Sequence, residues 1–502
     1  MIHIGKEPIR QVQKFWNHCL FHPTDAVEDA WGKRILDRIA EDKTIDTVRI
    51  YAMLEDIVYR DENGVLQYDF RVNDLRLDYL VEKGYDLIIA YGAVPDCMAA
   101  STEFKRASAF NATRYKGKMW NTSPPADMAE WEEVCYEYTK HIVDRYGIET
   151  VSRWHLHCFN EPDIPSFFMS QLPSGYEHER SAAYCPMYKA FVQGLCRVSE
   201  KLTMGGPALA NKTLFLDLFL QYVRENNLRL DYIALHNYGT GPKFLKDGSK
   251  PITVRNNLER HEGYMEIIRK NGFEKTEIVI DEWGIATRGF ANRLECPELM
   301  FRETEVISAY YGKLLKGLLD TGYDISKLAI CLSGQHEMTE DFSGFRNFFT
   351  LNFIAKPIYN AHRLAAWMGT KLVAGECDHE NLALIPTLTD KGYAIMLAYA
   401  SDRFLEDIPD ITETPEFAED ITGKQVTIWC IDKKNTNPYR KFQEMGSPEQ
   451  PTAQQLIALR EEGALKPVDS YIAEGATLRP ITLTPNCLYL ITVEEKENDH
   501  EA

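Results

Sequence analysis

The chain of 502 residues has no surplus of positive charge: 56 Lys and Arg stand against 75 Asp and Glu, a net charge of -19. A nucleic acid or an anionic membrane needs a concentrated basic face, so neither is an expected partner. No stretch approaches the roughly 20 continuous apolar residues of a membrane span. Met1–Arg10 carries Lys6, Glu7, Pro8 and Arg10 and has no apolar run of the kind a secretory signal needs. The 11 cysteines are odd in number and scattered, and no C-x-x-C occurs. Cys19, Cys158, Cys196 and Cys331 stand among apolar neighbours. That usage argues against a disulfide framework or a cysteine zinc site and reads as reduced thiols in a cytoplasmic protein. There is no internal repeat and no low-complexity tract, and no cofactor is expected.

What is present is an alternation of apolar strands and helices. Strands are predicted at Thr47–Leu54, Asp86–Tyr91, Ser152–Asn160, Thr203–Pro207, Asp231–His236, Glu277–Asp281, Lys327–Ser333 and, more weakly, Phe348–Ile354. Helices are predicted near 10–43 (Trp31, Ile35 and Ile39 recur at helical spacing), Asn73–Lys83, Met128–Tyr146, Ala182–Lys201, Thr213–Asn226, Leu258–Asn271, Glu298–Asp320 and Pro357–Met368. Short continuous apolar runs such as Leu87-Ile88-Ile89 mark strands buried on both faces. Eight strand–helix pairs over residues 21–370 predict an α/β fold, a (β/α)8 TIM barrel. After Gly369 the texture becomes short strands (Leu382–Leu388, Tyr393–Tyr399, Val426–Ile431, Cys487–Val493), which predicts a β-sandwich over 371–502 with a short helix at Thr452–Glu462. Residues 1–20 are expected to join that β-domain.

Barrel enzymes place chemistry at the C-terminal ends of their strands. Two strand ends stand out. Trp154–Phe159 runs into Asn160-Glu161-Pro162, and Ile278–Ile280 runs into Asp281-Glu282-Trp283. Two carboxylates facing each other across a barrel mouth suit glycoside hydrolysis, one giving a proton to the leaving oxygen and the other attacking the anomeric carbon or positioning water. Asn160 and Glu161 are adjacent, so a regular strand sends them to opposite faces; if both meet substrate, the strand breaks or bulges there. His155 and His157 form an H-x-H that reads as packed histidines inside the barrel, with a metal site as the other reading, His236 joining them. Trp120, Phe167, Phe168, Trp283 and Phe290 fall near the catalytic face and are candidates to stack on sugars. Glu303 and Glu305 are expected to face solvent, and Phe342, Phe345, Phe348 and Phe349 to lie in the core.

Asn-Glu-Pro after one strand and Glu-Trp after a later one resemble the clan A glycoside hydrolases. Arg145-Tyr146-Gly147, Trp154–Pro162, Gly205–Ala208, Asp231–His236 and Lys356–Tyr359, with Asn437-Pro438-Tyr439 and Met445–Pro448, resemble glycoside hydrolase family 39, the β-xylosidase and α-L-iduronidase family. The resemblance implies a retaining, double-displacement glycosidase acting on a non-reducing-end sugar, with Glu161 as acid/base and Glu282 as nucleophile. It assigns Asn160, His236, Tyr238 and Arg49 to substrate or nucleophile contacts and permits a homo-oligomer. The chain departs from family β-xylosidases at two places: Tyr51-Ala52 stands where they carry His-Gly, and Cys331-Leu332, followed by Gln335, His336 and Glu337, where they carry Tyr-Trp. Both line the glycone subsite in the family. Tyr51, Trp283, Phe168 and His336 therefore complete the expected substrate contacts, with an oligosaccharide or glycoside as the partner molecule and no metal.

Overall fold

The computed structural model describes residues 1–18, 20–21, 27–107, 117–287, 291–332, 338–403 and 406–496. Eight parallel strands close a barrel in chain order: Leu20–Phe21, Thr47–Tyr51, Asp86–Tyr91, His155–Cys158, Thr203–Leu209, Tyr232–Thr240, Glu277–Ala286 and Ile325–Cys331. The eighth strand returns to the first, Ile330 beside Leu20. The expected TIM barrel with an appended β-sandwich is the fold, but the strand count starts one element earlier. The first strand has two residues, too few to show any periodicity. Phe348–Ile354 is not a barrel strand: it makes a single bridge, Phe349 to Ala355, and its rings pack inward. Arg49 and Tyr51 accordingly lie on the second strand and Cys331 on the eighth.

Alternation along each strand sorts the side chains. Val48, Ile50, Leu87, Ile89, Leu156, Ile233, Leu235, Ile278, Ile280 and Ile330 point outward into the layer of helices. Ile88, Ala90, Tyr232, Ala234, Val279 and Ala329 point inward. The inward set shares its parity with Arg49, His155, His157, His236 and Asp281, so the interior is apolar in places and charged in others.

One long helix expected at Glu298–Asp320 is divided into a 3-10 turn, Pro297–Glu303, and a helix, Val306–Asp320. Glu303 and Glu305 do not face solvent; both are buried. Glu303 accepts from Lys356 Nζ at 2.8 Å and from the Gly344 amide at 2.7 Å, and Glu305 accepts from Asn437 Nδ2 at 2.8 Å. A buried carboxylate needs such partners, and meeting them breaks the helix. Phe342, Phe345, Phe348 and Phe349 lie in the core as expected. All ten described cysteines are free thiols, and Cys196 is exposed rather than packed in apolar surroundings. No described helix is long and apolar enough to cross a membrane.

The C-terminal sheet has eight strands, and Ile2–Gln11 lies within it between Lys371–Cys377 and Pro415–Phe417. Its two faces differ by parity. Leu382, Leu384, Tyr393, Ile395, Leu397, Tyr489 and Ile491 enter the domain's own core, closed by a small second sheet, Ile411–Glu413 with Ile481–Leu483. Ala383, Ala394, Met396, Ala398 and Leu488 join the barrel's core. Small residues on that face admit the helix Val306–Asp320 closely, and Gly312 marks the contact: a Cβ there would sit 2.7 Å from both Ala398 Cβ and Leu488 Cδ1.

Gly312→Val is expected to lower stability by about 1–3 kcal/mol through overpacking, read as a lower urea midpoint, with Ala398→Gly in the same chain recovering part of the loss. An unchanged midpoint would show that the domains do not meet there as closely packed surfaces.

Candidate active site

The two carboxylates reach the barrel mouth because both strands break their alternation. The fourth strand ends at Cys158, and Phe159 and Glu161 adopt left-handed φ of 63° and 49°. The backbone turns twice, and Asn160 and Glu161 both face the mouth. Glu161 N donates to Ala208 O at 3.0 Å. Asp163 then accepts from the amides of Ala210, Asn211 and Lys212 at 2.8–2.9 Å, pinning this segment to the end of the fifth strand. On the seventh strand the register to the sixth slips between Ile280 and Glu282. That bulge lets Asp281 and Glu282 share the interior and returns Trp283 to the outer face.

Arg49 is wholly buried and ties the site together. Its Nη1 donates to Glu282 Oε1 at 3.0 Å and its Nη2 to Asn160 Oδ1 at 2.6 Å, while Nε lies 2.8 Å from Asp281 Oδ2. Tyr238 Oη donates to the other Glu282 oxygen at 2.7 Å. Both Glu282 oxygens thus receive a donor. Arg346 lies 5.3 Å over the Tyr238 ring. His236 Nδ1 pairs with Glu161 Oε1 at 2.8 Å, and its Nε2 stands 3.6 Å from oxygens of both Asp281 and Glu282.

Burial opposes charge on His236, but Glu282, Asp281 and the Glu161 hydrogen bond outweigh it and lift the imidazole to about 10. Burial likewise opposes ionisation of Asp281, yet Arg49 and His236 hold its carboxyl well below the usual carboxylate range. His157, buried beside Arg49, is pushed down to about 3 and is neutral. Glu161 goes the other way: burial raises its pKa, against the pull of His236. Arg49 and His236 thus set two positive groups against the acids around them, and burial favours the neutral form of Glu161.

Six of the expected site residues converge: Glu161, Glu282, Asn160, His236, Tyr238 and Arg49. Tyr51 joins them, lining a cleft with Ala93, Arg106, Trp120, Asn160 and Phe167. Two expected contacts are corrected. The Trp283 ring stacks on Tyr311 at 5.6 Å between strands and helices, because the bulge restores outward parity after Glu282. Phe168 is buried edge-on to Phe159 and Tyr184; its neighbour Phe167 reaches the cleft instead. His336 and Phe290 lie outside the described residues. The H-x-H histidines do not form one site. His155 Nε2 is 2.9 Å from Glu277 at the opposite end of the barrel, and His157 faces Asp281 at 3.6 Å. Among the described residues, the group whose ligand atoms all lie within 4.8 Å of one another is Glu161, His236 and Glu282. Asp281, Asp163, Arg106 and Arg346 went unassigned from sequence. Only Asp281, inward by parity from Val279, carried a signal that could have found it.

A closed (β/α)8 barrel with two opposed glutamates at strand ends four and seven is the architecture of a retaining glycosidase. A family model described as Glycosyl hydrolases family 39 matches residues 2–475, and the chain belongs to that family. A beta-xylosidase from Caldicellulosiruptor saccharolyticus is 23% identical over 477 residues, covering 93% of this chain and 91% of that protein. An alpha-L-iduronidase from Mus musculus is 26% identical over 263 residues, covering 47% of this chain and 36% of that protein. The crystal structure of a monomeric beta-xylosidase from Caulobacter crescentus CB15 matches with a TM-score of 0.81 at 19% identity, covering 98% of this chain and 99% of that one, which establishes the shared fold.

The raised His236 carries a stability prediction. Its charge contributes fully below its ordinary value of 6.5 and is lost as pH rises through about 10. The unfolding midpoint is expected to fall between those limits more steeply in the wild type than in His236→Gln. Parallel curves would remove the charge from His236.

Proposed function

We propose that the chain is a retaining exo-glycosidase that releases a non-reducing-end sugar, with Glu161 as acid/base and Glu282 as nucleophile, resembling a β-1,4-xylosidase with an altered glycone pocket. The observation that carries this is the placement of Glu161 and Glu282 oxygens within 4.8 Å of each other. So close an approach of one oxygen from each favours the short carboxyl separation of retaining enzymes, roughly 5–5.5 Å, over the wider gap that admits a water in inverting ones. In this reading Glu161, kept protonated by burial, gives its proton to the glycosidic oxygen while Glu282 attacks the anomeric carbon. Glu161 then takes a proton from the water that hydrolyses the glycosyl-enzyme. Arg49 and Tyr238 fix Glu282 for in-line attack, and His236 orients Glu161. Asn160 spends its oxygen on Arg49, and its buried Nδ2 has no protein partner; that donor suits the hydroxyl next to the anomeric carbon.

Tyr51 and Cys331, both facing the interior, replace family residues of the glycone pocket, so another glycone (α-L-arabinose, β-galactose, β-glucose or α-L-iduronate) is the alternative within the same mechanism. The free cysteines support a reducing, cytoplasmic setting. A carbohydrate-binding barrel without catalysis is the reading from another class, and two intact, paired carboxylates count against it. A metal hydrolase using the histidines is a third; His236⁺ and Arg49⁺ at the centre oppose a cation there.

The test is a panel of aryl β-xyloside, α-L-arabinoside, β-galactoside, β-glucoside and α-L-iduronide, assayed with and without chelator. At least one is expected to be cleaved, with the anomeric configuration retained in the first-formed sugar and no loss to chelation. Glu282→Ala is expected to abolish turnover. Glu161→Gln is expected to lower kcat/KM by about 10²–10⁴ on substrates needing a proton at the leaving group and to remove the alkaline limb, which lies above the ordinary Glu value of 4.5 because burial raises Glu161. Unchanged activity in Glu282→Ala, or an inverted product, would sink the assignment.

A further inference from the structure

We propose that the cleft formed by Arg106, Trp120 and Phe167 receives an anionic group, a carboxylate or a sulfate, carried by the sugar that occupies the catalytic mouth. The proposal rests on the glycosidase reading and names the substrate class of that same site.

The cleft is built by a short hairpin. Lys105–Ala107 pairs antiparallel with Met119–Asn121, and Arg106 stands directly opposite Trp120. Cross-strand partners share a face. On the other face Lys105 and Asn121 both bond to Asp96, so that side is satisfied within the protein. The Arg106 face differs. Its guanidinium lies 4.1 Å from the Phe167 ring centroid and 5.3 Å from that of Trp120. Among the described residues its hydrogen bond is a long one, Nη1 to its neighbour Ala107 O at 3.4 Å. No carboxylate among the described residues forms an ion pair with it.

Arginine carries five donors in a rigid planar fork. The two rings beside it accept no N–H in the way an oxygen does, so the fork's donors suit an oxygen acceptor. A half-buried cation without an acid is costly unless something supplies the anion, and burial does act against the Arg106 charge. Glu161 and Glu55 are the carboxyls whose charge would favour Arg106, and Glu161 is bonded to His236, which leaves Glu55. Both its oxygens are buried without a hydrogen-bond partner, and burial lifts it to about 7. At neutral pH it is only partly ionised and gives Arg106 no direct bond. Planar carboxylate or sulfate oxygens match the fork as a bidentate acceptor. Tyr51 and Asn160 line the same cleft, which puts the anion on the sugar held at the mouth. A chain of net charge -19 repels acidic sugars at long range, so accepting one requires a local cation of this kind.

The test compares aryl glycosides matched except at one position: β-glucoside, β-glucuronide and β-glucoside 6-sulfate. One acidic member is expected to exceed the neutral one in kcat/KM by about tenfold or more, the size of a hydrogen bond to a charged group; the carboxylate and sulfate arms decide which anion it is. Arg106→Gln is expected to erase the preference, and Arg106→Lys, which keeps charge but loses the fork, to restore only part of it. Direct titration of glucuronate, glucose 6-sulfate and glucose into the unmodified protein reads the cleft without turnover. Tighter binding of an acid, lost in Arg106→Gln, supports the cleft even if no glycoside is cleaved, a result that would count against the catalytic reading alone. Equal binding of acid and neutral sugars, or a preference that survives Arg106→Gln in folded protein, overturns it.

Discussion

Arg49 is the constraint on which the rest depends. It sits at zero exposure in the barrel and meets three acceptors on two segments: Asn160 after the fourth strand, and Asp281 and Glu282 on the seventh. A buried cation tolerates neither a missing partner nor a poorly placed one, since an uncompensated charge in the interior costs several kcal/mol. The barrel must therefore bring these acceptors to one point, and doing so fixes the spacing of Glu161 and Glu282. His236 repeats the arrangement on the sixth strand, held between Glu161 and the same two acids. The spacing of the two glutamates is thus a by-product of neutralising two buried cations.

Regular strands could not deliver it. Alternation permits one inward residue in two, and the site needs Asn160 beside Glu161 and Asp281 beside Glu282. The fourth strand solves this by left-handed residues at Phe159 and Glu161, the seventh by a bulge. Backbone departures of this sort are unfavourable locally and persist where surrounding bonds over-determine them. Asp163 with three amide donors supplies that restraint on one side; Arg49 and Tyr238 supply it on the other.

What the sequence discloses follows from the same physics. Apolar runs of buried parallel strands are visible, so seven of the eight barrel strands, the helices and the appended β-domain could be read from it. Leu20–Phe21 could not, being shorter than any period, and Phe348–Ile354 misled because a buried aromatic loop has a strand's composition. Glu161 and Glu282 were legible as polar ends on apolar runs. Trp283 and Phe168 depart from expectation because nearness in sequence is not nearness in space: a one-residue bulge or turn reverses the face of each. Arg106 had no signal at all: its role depends on a hairpin pairing and on rings 14 and 61 positions away in the chain.

The wall beyond the eighth strand has a different support from the two glutamates. Glu161 and Glu282 rest on strands in the barrel's interior. The wall beyond the eighth strand rests partly on the C-terminal domain: Phe342 packs against Tyr439 and Phe442 from the helix Pro438–Glu444, and with Leu459 of the helix Ala453–Glu462 it forms a separate apolar cluster. Asn437 holds Glu305, and Glu303 in turn holds Lys356 and the Gly344 amide, two residues before Arg346 over Tyr238. Changes in the β-domain helices therefore reach the pocket wall through packed side chains without touching the interior strands. Two glutamates set by ion pairs on interior strands and a wall anchored on the C-terminal domain are therefore free to vary separately.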